Sequence, residues 1–287
     1  MAFNFATFRT RALTAIVFVL VMLTGLLWNQ WSFLVLFSVI HFGCWIEYQK
    51  LVGLIDTDYR EINASHRYGI MLAGWGYLLW MTDSSYQLGN ISFSTIGWWI
   101  FAVSFISFIV GDFLFGKKSN PRLWAHSFMG FLYISISWGL MMRLYTNLHQ
   151  TIFTGANWLL PVILIASIWI NDTMAYLVGS FIGKTPLSPI SPKKTWEGTI
   201  GGALLAVLVV VLVGYYTLHF AIKPLLLISL TGAIAGTLGD LFESKLKRMA
   251  NVKDSGNIMP GHGGFLDRFD SLLLATTVLW LVLYFAY

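Results

Sequence analysis

Charge is what this sequence has least of. Asp, Glu, Lys and Arg make up only 11% of its 287 residues, where soluble domains carry roughly a quarter, so a chain with a water-facing surface on every side is excluded. Cysteine is almost absent: Cys44 alone leaves no intrachain disulfide and no thiolate metal cluster. No repeat, low-complexity tract or shift in composition sets off a soluble domain. Arg9 and Arg11 precede an apolar run from Ala12 to Trp28, but Asn29-Gln30-Trp31 follows without the small residues of a cleavage site. A retained first span is therefore expected rather than a signal peptide.

What the chain does have is apolar surface. Hydrophobic residues make up 57% and aromatics 16% of it, and the mean hydropathy is +0.70, which describes an integral membrane protein. The net charge of +5 and pI near 9.3 then read as a topology signal rather than as affinity for nucleic acid. Runs of the length needed to cross a bilayer fall at about 12–28, 31–49, 67–82, 95–115, 123–142, 157–179, 199–219, 224–242 and 266–286. The expected fold is all-α and polytopic, with about nine transmembrane helices in a single membrane domain over 1–287. With the N-terminus inside, 16 of the 18 Lys and Arg fall on the cytoplasmic side, and only Arg143 and Lys223 on the other. This places the C-terminus on the opposite face and the charged loops in the cytoplasm.

Residues 1–155 read mainly as structural spans. Asp112, near the end of the fourth span, is expected to be an interfacial charge with local partners, Lys117 and Lys118 following it, and Glu47, His41 and His66 are read the same way. The segment Val52 to Arg67 mixes both signs and reads as a solvated connector.

Residues 156–287 differ and are expected to form the catalytic half. Asn171 and Asp172 fall inside a span, where a carboxylate costs roughly 2.5–3.5 kcal/mol. Pairing with a neighbouring lysine and a role in a site both account for it. In Lys184 to Gly198, Ser191 followed by Pro192 predicts a helix N-cap and first turn, with Lys193, Lys194 and Thr195 in that turn. Cations there oppose the helix dipole, and a bound phosphate would resolve the conflict. Gly198 and Gly202, and Gly232, Gly236 and Gly239, predict close helix packing.

Charge concentrates in the 33 residues from Gly239 to Ser271, with five carboxylates (Asp240, Glu243, Asp254, Asp267, Asp270) and five cations (Lys245, Lys247, Arg248, Lys253, Arg268). Asp240 ends one helix, and Asp267 and Asp270 begin the next on one face. Convergent carboxylates call for a shared proton or a cation, and hard oxygen ligands point to Mg²⁺ completed by water and substrate phosphate. The cations and the loop Pro260-Gly261-His262-Gly263-Gly264 would accommodate a polyphosphate. The combination argues for phosphoryl or nucleotidyl transfer.

Ser244-x-Leu246-Lys247-Arg248, Lys253-Asp254-x-Gly256, Pro260 to Gly264 and Leu266-Asp267-Arg268-x-Asp270 resemble the signature of the CTP:phosphatidate cytidylyltransferases, or CDP-diacylglycerol synthases, and Ser191 to Gly198 resembles a second block of that family. The resemblance implies transfer of the cytidylyl group of CTP to phosphatidic acid, giving CDP-diacylglycerol and pyrophosphate, in a bacterial inner membrane with the site facing the cytoplasm. On this reading Asp240 and Asp267 bind Mg²⁺, with or without a second cation, and Asp270 completes or orients the site. Lys193, Lys194, Lys247 and Arg248 neutralise phosphates. Ser191, Thr195, Ser244, Lys253, Asp254, His262 and Arg268 are further substrate contacts. No nucleic acid is expected as a partner, and homo-oligomerisation stays open. Two alternatives share the pattern: a metal-dependent transferase for another lipid phosphate, and an ion-coupled transporter, for which Asp172 is the pointer.

Overall fold

The computed structural model describes residues 5–115, 120–146, 152–153, 156–258 and 263–287, with side chains from Ala12 onward apart from Phe115. Helix occupies every one of the nine expected spans. Among the described residues, seven helices are long and apolar enough to cross a membrane, while the apolar stretch Ala12–Leu27 is shorter and Ala64–Trp80 has 17 residues. The chain is an all-α, polytopic integral membrane protein. It divides into two compact units, 1–142 with 249–269, and 143–248 with 270–287.

In the first unit α1 (Phe5–Leu27) and α2 (Gln30–Ile55) are joined through Asn29. Its side chain accepts the Ser32 N–H while Ser32 returns a bond to the Asn29 N–H, satisfying two donors that a helix start leaves orphaned. After α3 (Ala64–Trp80), β1 (Gln87–Leu88) and β2 (Ile91–Ser92) form a small hairpin, with Gly89 at φ +61° in its turn. Then come α4 (Phe93–Phe115), α5 (Pro121–Gly130), a π-helical turn at Phe131–Ser135 and α6 (Ile136–Thr146), whose last four residues belong to the second unit. Phe37 and Phe269 both pack on Trp138, with ring centroids at 5.2 and 5.8 Å. The loop 249–269 thus belongs to the N-terminal helices, although sequence separates them widely.

Polar groups of this core form one connected network around Asp112. Asp112 accepts from Trp124 Nε1 at 2.5 Å and lies 3.0 Å from His66 Nδ1, while His66 Nε2 meets Ser127 Oγ at 2.8 Å and Ser127 meets the Tyr59 hydroxyl at 2.9 Å. The order Asp–His–Ser resembles a catalytic relay, but Ser127 and His66 are completely buried. It is a closed structural network. The expected partners Lys117 and Lys118 lie outside the described residues. The Val52 to Arg67 connector is not solvated throughout: Thr57–Glu61 is a 3₁₀ turn that buries Tyr59, and Asp56 meets Arg122 at 3.2 Å. Apolar surface on Tyr59 outweighs the charge around it, which a reading of charge alone overlooks.

In the second unit α7 (Leu159–Ile182) leads into a hairpin of β3 (Pro186–Ser188) and β4 (Ser191–Thr195). Three helices follow: α8 (Trp196–Leu218), α9 (Ile222–Met249) and α10 (Leu266–Ala286), whose first four residues belong to the first unit.

Candidate active site

The second unit contains a cleft of about 500 Å³ between α7, the hairpin and α9. Its walls exist because two helix pairs come unusually close. A Cβ on Gly198 would lie 2.7 Å from the Ala175 carbonyl, and one on Gly202 would lie 2.6 Å from the Ala175 nitrogen, so α8 packs directly on the α7 backbone. A Cβ on Gly239 would lie 2.5 Å from the Asp270 carbonyl. The glycines expected to bring helices together do so, and Gly239 has the further effect of bringing the α9 backbone at Asp240 close to Asp270 of α10.

The hairpin corrects one expectation. Ser191 is not an N-cap and Pro192 does not open a helix. Ser191–Thr195 is a strand paired with Pro186–Ser188, and the cap is Thr195, which accepts the Gly198 N–H at 3.2 Å. In a two-stranded hairpin proline has an open edge to occupy, so Ser-Pro fits a strand as readily as a first turn. Lys193 and Lys194 therefore stand just before the helix, on an extended segment, rather than within its first turn. Glu197 ties the entry of the hairpin to α8: its carboxylate accepts the Lys184 N–H at 3.1 Å and the Thr185 hydroxyl at 2.8 Å.

Ser191, Lys193, Lys194 and Thr195 line the cleft together with Asn171, Asp172 and Asp240. Lys194 donates to the Asp240 carboxylate, and Ser244, one turn further along α9, donates to its other oxygen at 3.2 Å. Asp270 lies close enough to Asp240, Asp172 and Lys247 for their charges to act on it. Lys247 bonds the fully buried Glu243 at 2.6 Å, so part of its charge is already balanced within α9. Arg248 is exposed at the end of that helix.

Asn171 supplies the most telling atom. The residue is 2% exposed and lines the cleft, and its Oδ1 has no hydrogen-bond partner. A buried amide oxygen without a donor costs roughly 1–3 kcal/mol, and a ligand in the cleft would remove that cost.

The remaining expected residues fall in the first unit. Asp267 Oδ2 accepts the Ser255 N–H at 2.8 Å and the Gly264 N–H at 2.8 Å, and lies 2.9 Å from the Ser255 hydroxyl, whose single proton it shares with Glu47. Lys253, Asp254 and Arg268 are exposed. His262 lies outside the described residues. The same loop is held from α2 by Glu47, which accepts the Phe265 N–H at 2.9 Å, the Leu266 N–H at 2.8 Å and the Ser255 hydroxyl at 2.7 Å. Gly256 and Gly264 lie against that carboxylate so closely that a Cβ on either would overlap it. Glu47 is thus not an interfacial charge with local partners but the clamp of a loop more than 200 positions away.

Oxygen donors predominate in the cleft, and their chemistry suits a hard divalent cation. Among the described residues no three His, Cys, Asp or Glu form a group able to hold a metal ion, so a cation there would have one or two carboxylates and complete its shell from water and substrate, as Mg²⁺ does. Asp240, with a lysine now on its carboxylate, and the unpartnered Asn171 oxygen fit that requirement.

A family model described as "Cytidylyltransferase family" matches residues 9–286. The chain belongs to the cytidylyltransferase family. It is 45% identical over 137 residues to a phosphatidate cytidylyltransferase of Staphylococcus epidermidis, covering 47% of this chain and 52% of the relative. It is 51% identical over 118 residues to one of Bacillus subtilis, covering 40% and 44%, and 36% identical over 189 residues to one of Staphylococcus haemolyticus, covering 65% and 72%. The chain spans about half the length of most of these curated relatives.

Asn171 and Asp172 line the cleft of this cytidylyltransferase-family chain without being among its expected site residues, and Glu47, in the first unit, was not expected to hold the loop. For Asp172 the structure joins lysine pairing with a place in the site, since it shares a cleft with Lys194 and Asp240. Glu47 had no signal beyond being a carboxylate in an apolar run. Its partners are backbone N–H groups, which carry no side-chain signature in sequence.

Proposed function

We propose that this chain transfers the cytidylyl group of CTP to phosphatidic acid, giving CDP-diacylglycerol and pyrophosphate. The observation that carries the reading is the cleft itself, where Lys193 and Lys194 on a hairpin face Asp172, Asp240 and the unpartnered Asn171 oxygen. Membership of the cytidylyltransferase family and relatives named as phosphatidate cytidylyltransferases support it.

The chemistry needs no protein nucleophile. A phosphomonoester with a second pKa of about 6 is largely dianionic at neutral pH, so an oxygen of phosphatidate attacks the α-phosphorus of CTP. One P–O bond forms, the bond to the β-phosphate bridge breaks, and pyrophosphate leaves with the electron pair. The task of the protein is positioning and charge neutralisation. Lys193 and Lys194 hold the triphosphate, with Lys247 and Arg248 as further cations. Asp240 and Asp267 are the proposed Mg²⁺ carboxylates, with Asp270 orienting the site. Bound Mg²⁺ would supply neutralisation of the leaving pyrophosphate. Asp240 releases Lys194 toward phosphate as substrate enters, and the Asn171 oxygen would help hold the cation. Ser191, Thr195, Ser244, Lys253, Asp254, His262 and Arg268 complete the proposed contacts.

The site faces the cytoplasm of a bacterial inner membrane on this reading, as the 16-to-2 division of Lys and Arg supports. The test is conversion of labelled CTP to a lipid product by purified protein. Label appearing only with phosphatidate supports the reading. Label with a polyprenyl phosphate but not phosphatidate would replace it, and no labelled lipid from either would end it.

A further inference from the structure

The first unit contains a second cleft, of about 430 Å³, formed by the C-terminal half of α2, the 3₁₀ turn and the start of α3. Among the described residues three cations line it, Lys50, Arg60 and Arg67, and no carboxylate does. The arginines are held in place by neutral groups. Arg60 lies across Gly53, where a Cβ would be 2.9 Å from its Cγ, and its Nε donates to the Gly53 carbonyl at 2.5 Å. Arg67 donates from one terminal nitrogen to the Arg60 carbonyl at 2.9 Å, while its own carbonyl accepts from Gln49 at 2.9 Å.

Backbone carbonyls fix the two guanidinium groups without neutralising them, and each of these bonds uses one of five N–H donors. Like charges so gathered repel, and an anion with several acceptor oxygens relieves that while taking the remaining donors. Scattered lysines of a positive-inside loop would not need to converge. The rim adds a second property. Ile46, Leu54 and Tyr68 border the cleft and are 61%, 38% and 53% exposed, and α2 is one of the helices able to cross a membrane. A soluble anion has no use for an apolar rim, whereas acyl chains attached to a phosphate do.

We propose that this cleft binds the phosphate group of an anionic phospholipid, with Lys50, Arg60 and Arg67 on the headgroup and the acyl chains along Ile46 and Leu54. The site is distinct from the cleft of the second unit and does not depend on the proposed reaction.

The test is native mass spectrometry of the full chain in neutral detergent, with phosphatidylglycerol, phosphatidylcholine or inorganic phosphate as probes, for the wild type, Lys50→Gln and Lys50→Gln/Arg67→Gln. Wild type should retain phosphatidylglycerol over phosphatidylcholine, and each cation removed should weaken retention about five-fold. Inorganic phosphate at equal concentration should not displace the lipid. Equal retention of the two lipids, or equal retention by wild type and Lys50→Gln, overturns the proposal. Displacement by inorganic phosphate overturns the lipid assignment in favour of a soluble anion. Exposed Lys50 keeps the test valid should loss of the Arg67 backbone bond unfold the double variant. No readout involves CTP, so failure here is separate from failure of the proposed reaction.

Discussion

Glu47 accepts the backbone N–H of Leu266 at 2.8 Å. With the Phe265 N–H and the Ser255 hydroxyl on the same carboxylate, one side chain of α2 sets the start of α10 and the loop before it. Bonds to a charged group are worth about 1.5–3 kcal/mol each, and donors left buried without an acceptor cost more. Glu47→Ala should lower stability by about 3–5 kcal/mol in detergent denaturation. Glu47→Gln, which keeps one acceptor oxygen, should lose less. Equal melting of wild type and Glu47→Ala would show that the loop is held by other means.

Lys194 and Asp240 form the pair at the centre of the second unit's cleft. Lys194→Ala and Asp240→Asn should each reduce cytidylyl transfer by about 10²-fold or more, the scale of removing one preorganised electrostatic group. The double variant should lose less than the product of the two, because each partner acts partly through the other. Full additivity in kcat/KM would mean that the pair does not act as a unit.

Gly239→Ala places a methyl group 2.5 Å from the Asp270 carbonyl. Separating α9 from α10 by overpacking costs typically about 1–3 kcal/mol and displaces Asp240 from Asp270. The variant should remain folded with kcat reduced, measured beside its melting temperature. Unchanged kcat would detach the helix crossing from catalysis.

Removal of divalent cations with a chelator should abolish transfer, and Mg²⁺ should restore it. Asp240→Asn should raise the Mg²⁺ concentration needed for half-maximal rate. An unchanged Mg²⁺ requirement in Asp240→Asn would remove Asp240 from the proposed ligands.

Ser127 sits in the Asp112–His66 network, fully buried. Ser127→Ala should leave transfer intact and lower stability by about 1–3 kcal/mol, the cost of stranding two buried partners. Loss of activity without loss of stability would give the network a chemical role.

Apolar runs were legible in the sequence because twenty apolar residues have few other uses: helix occupies each expected stretch, and among the described residues seven of the helices are long and apolar enough to cross a membrane. The concentration of charge from Asp240 onward was equally plain, as were the glycines at Gly198, Gly202 and Gly239, whose spacing is that of helix crossings. Ser191-Pro192 is ambiguous in sequence, since the same dipeptide satisfies a helix start and a hairpin edge and only pairing with Pro186–Ser188 decides between them. Asn171 and Glu47 were out of reach for a different reason. The significance of Asn171 is an atom without a partner, and that of Glu47 is a set of backbone N–H groups, and neither leaves a pattern among side chains.

The Glu47 clamp also sets an order of events during synthesis. Its partner Leu266 lies 219 positions downstream, which at about 5–20 residues per second takes the ribosome roughly 10–45 s. Throughout that interval the carboxylate sits among newly inserted helices without the N–H groups that will receive it. A chain released before Leu266 therefore presents an uncompensated acid within its first unit.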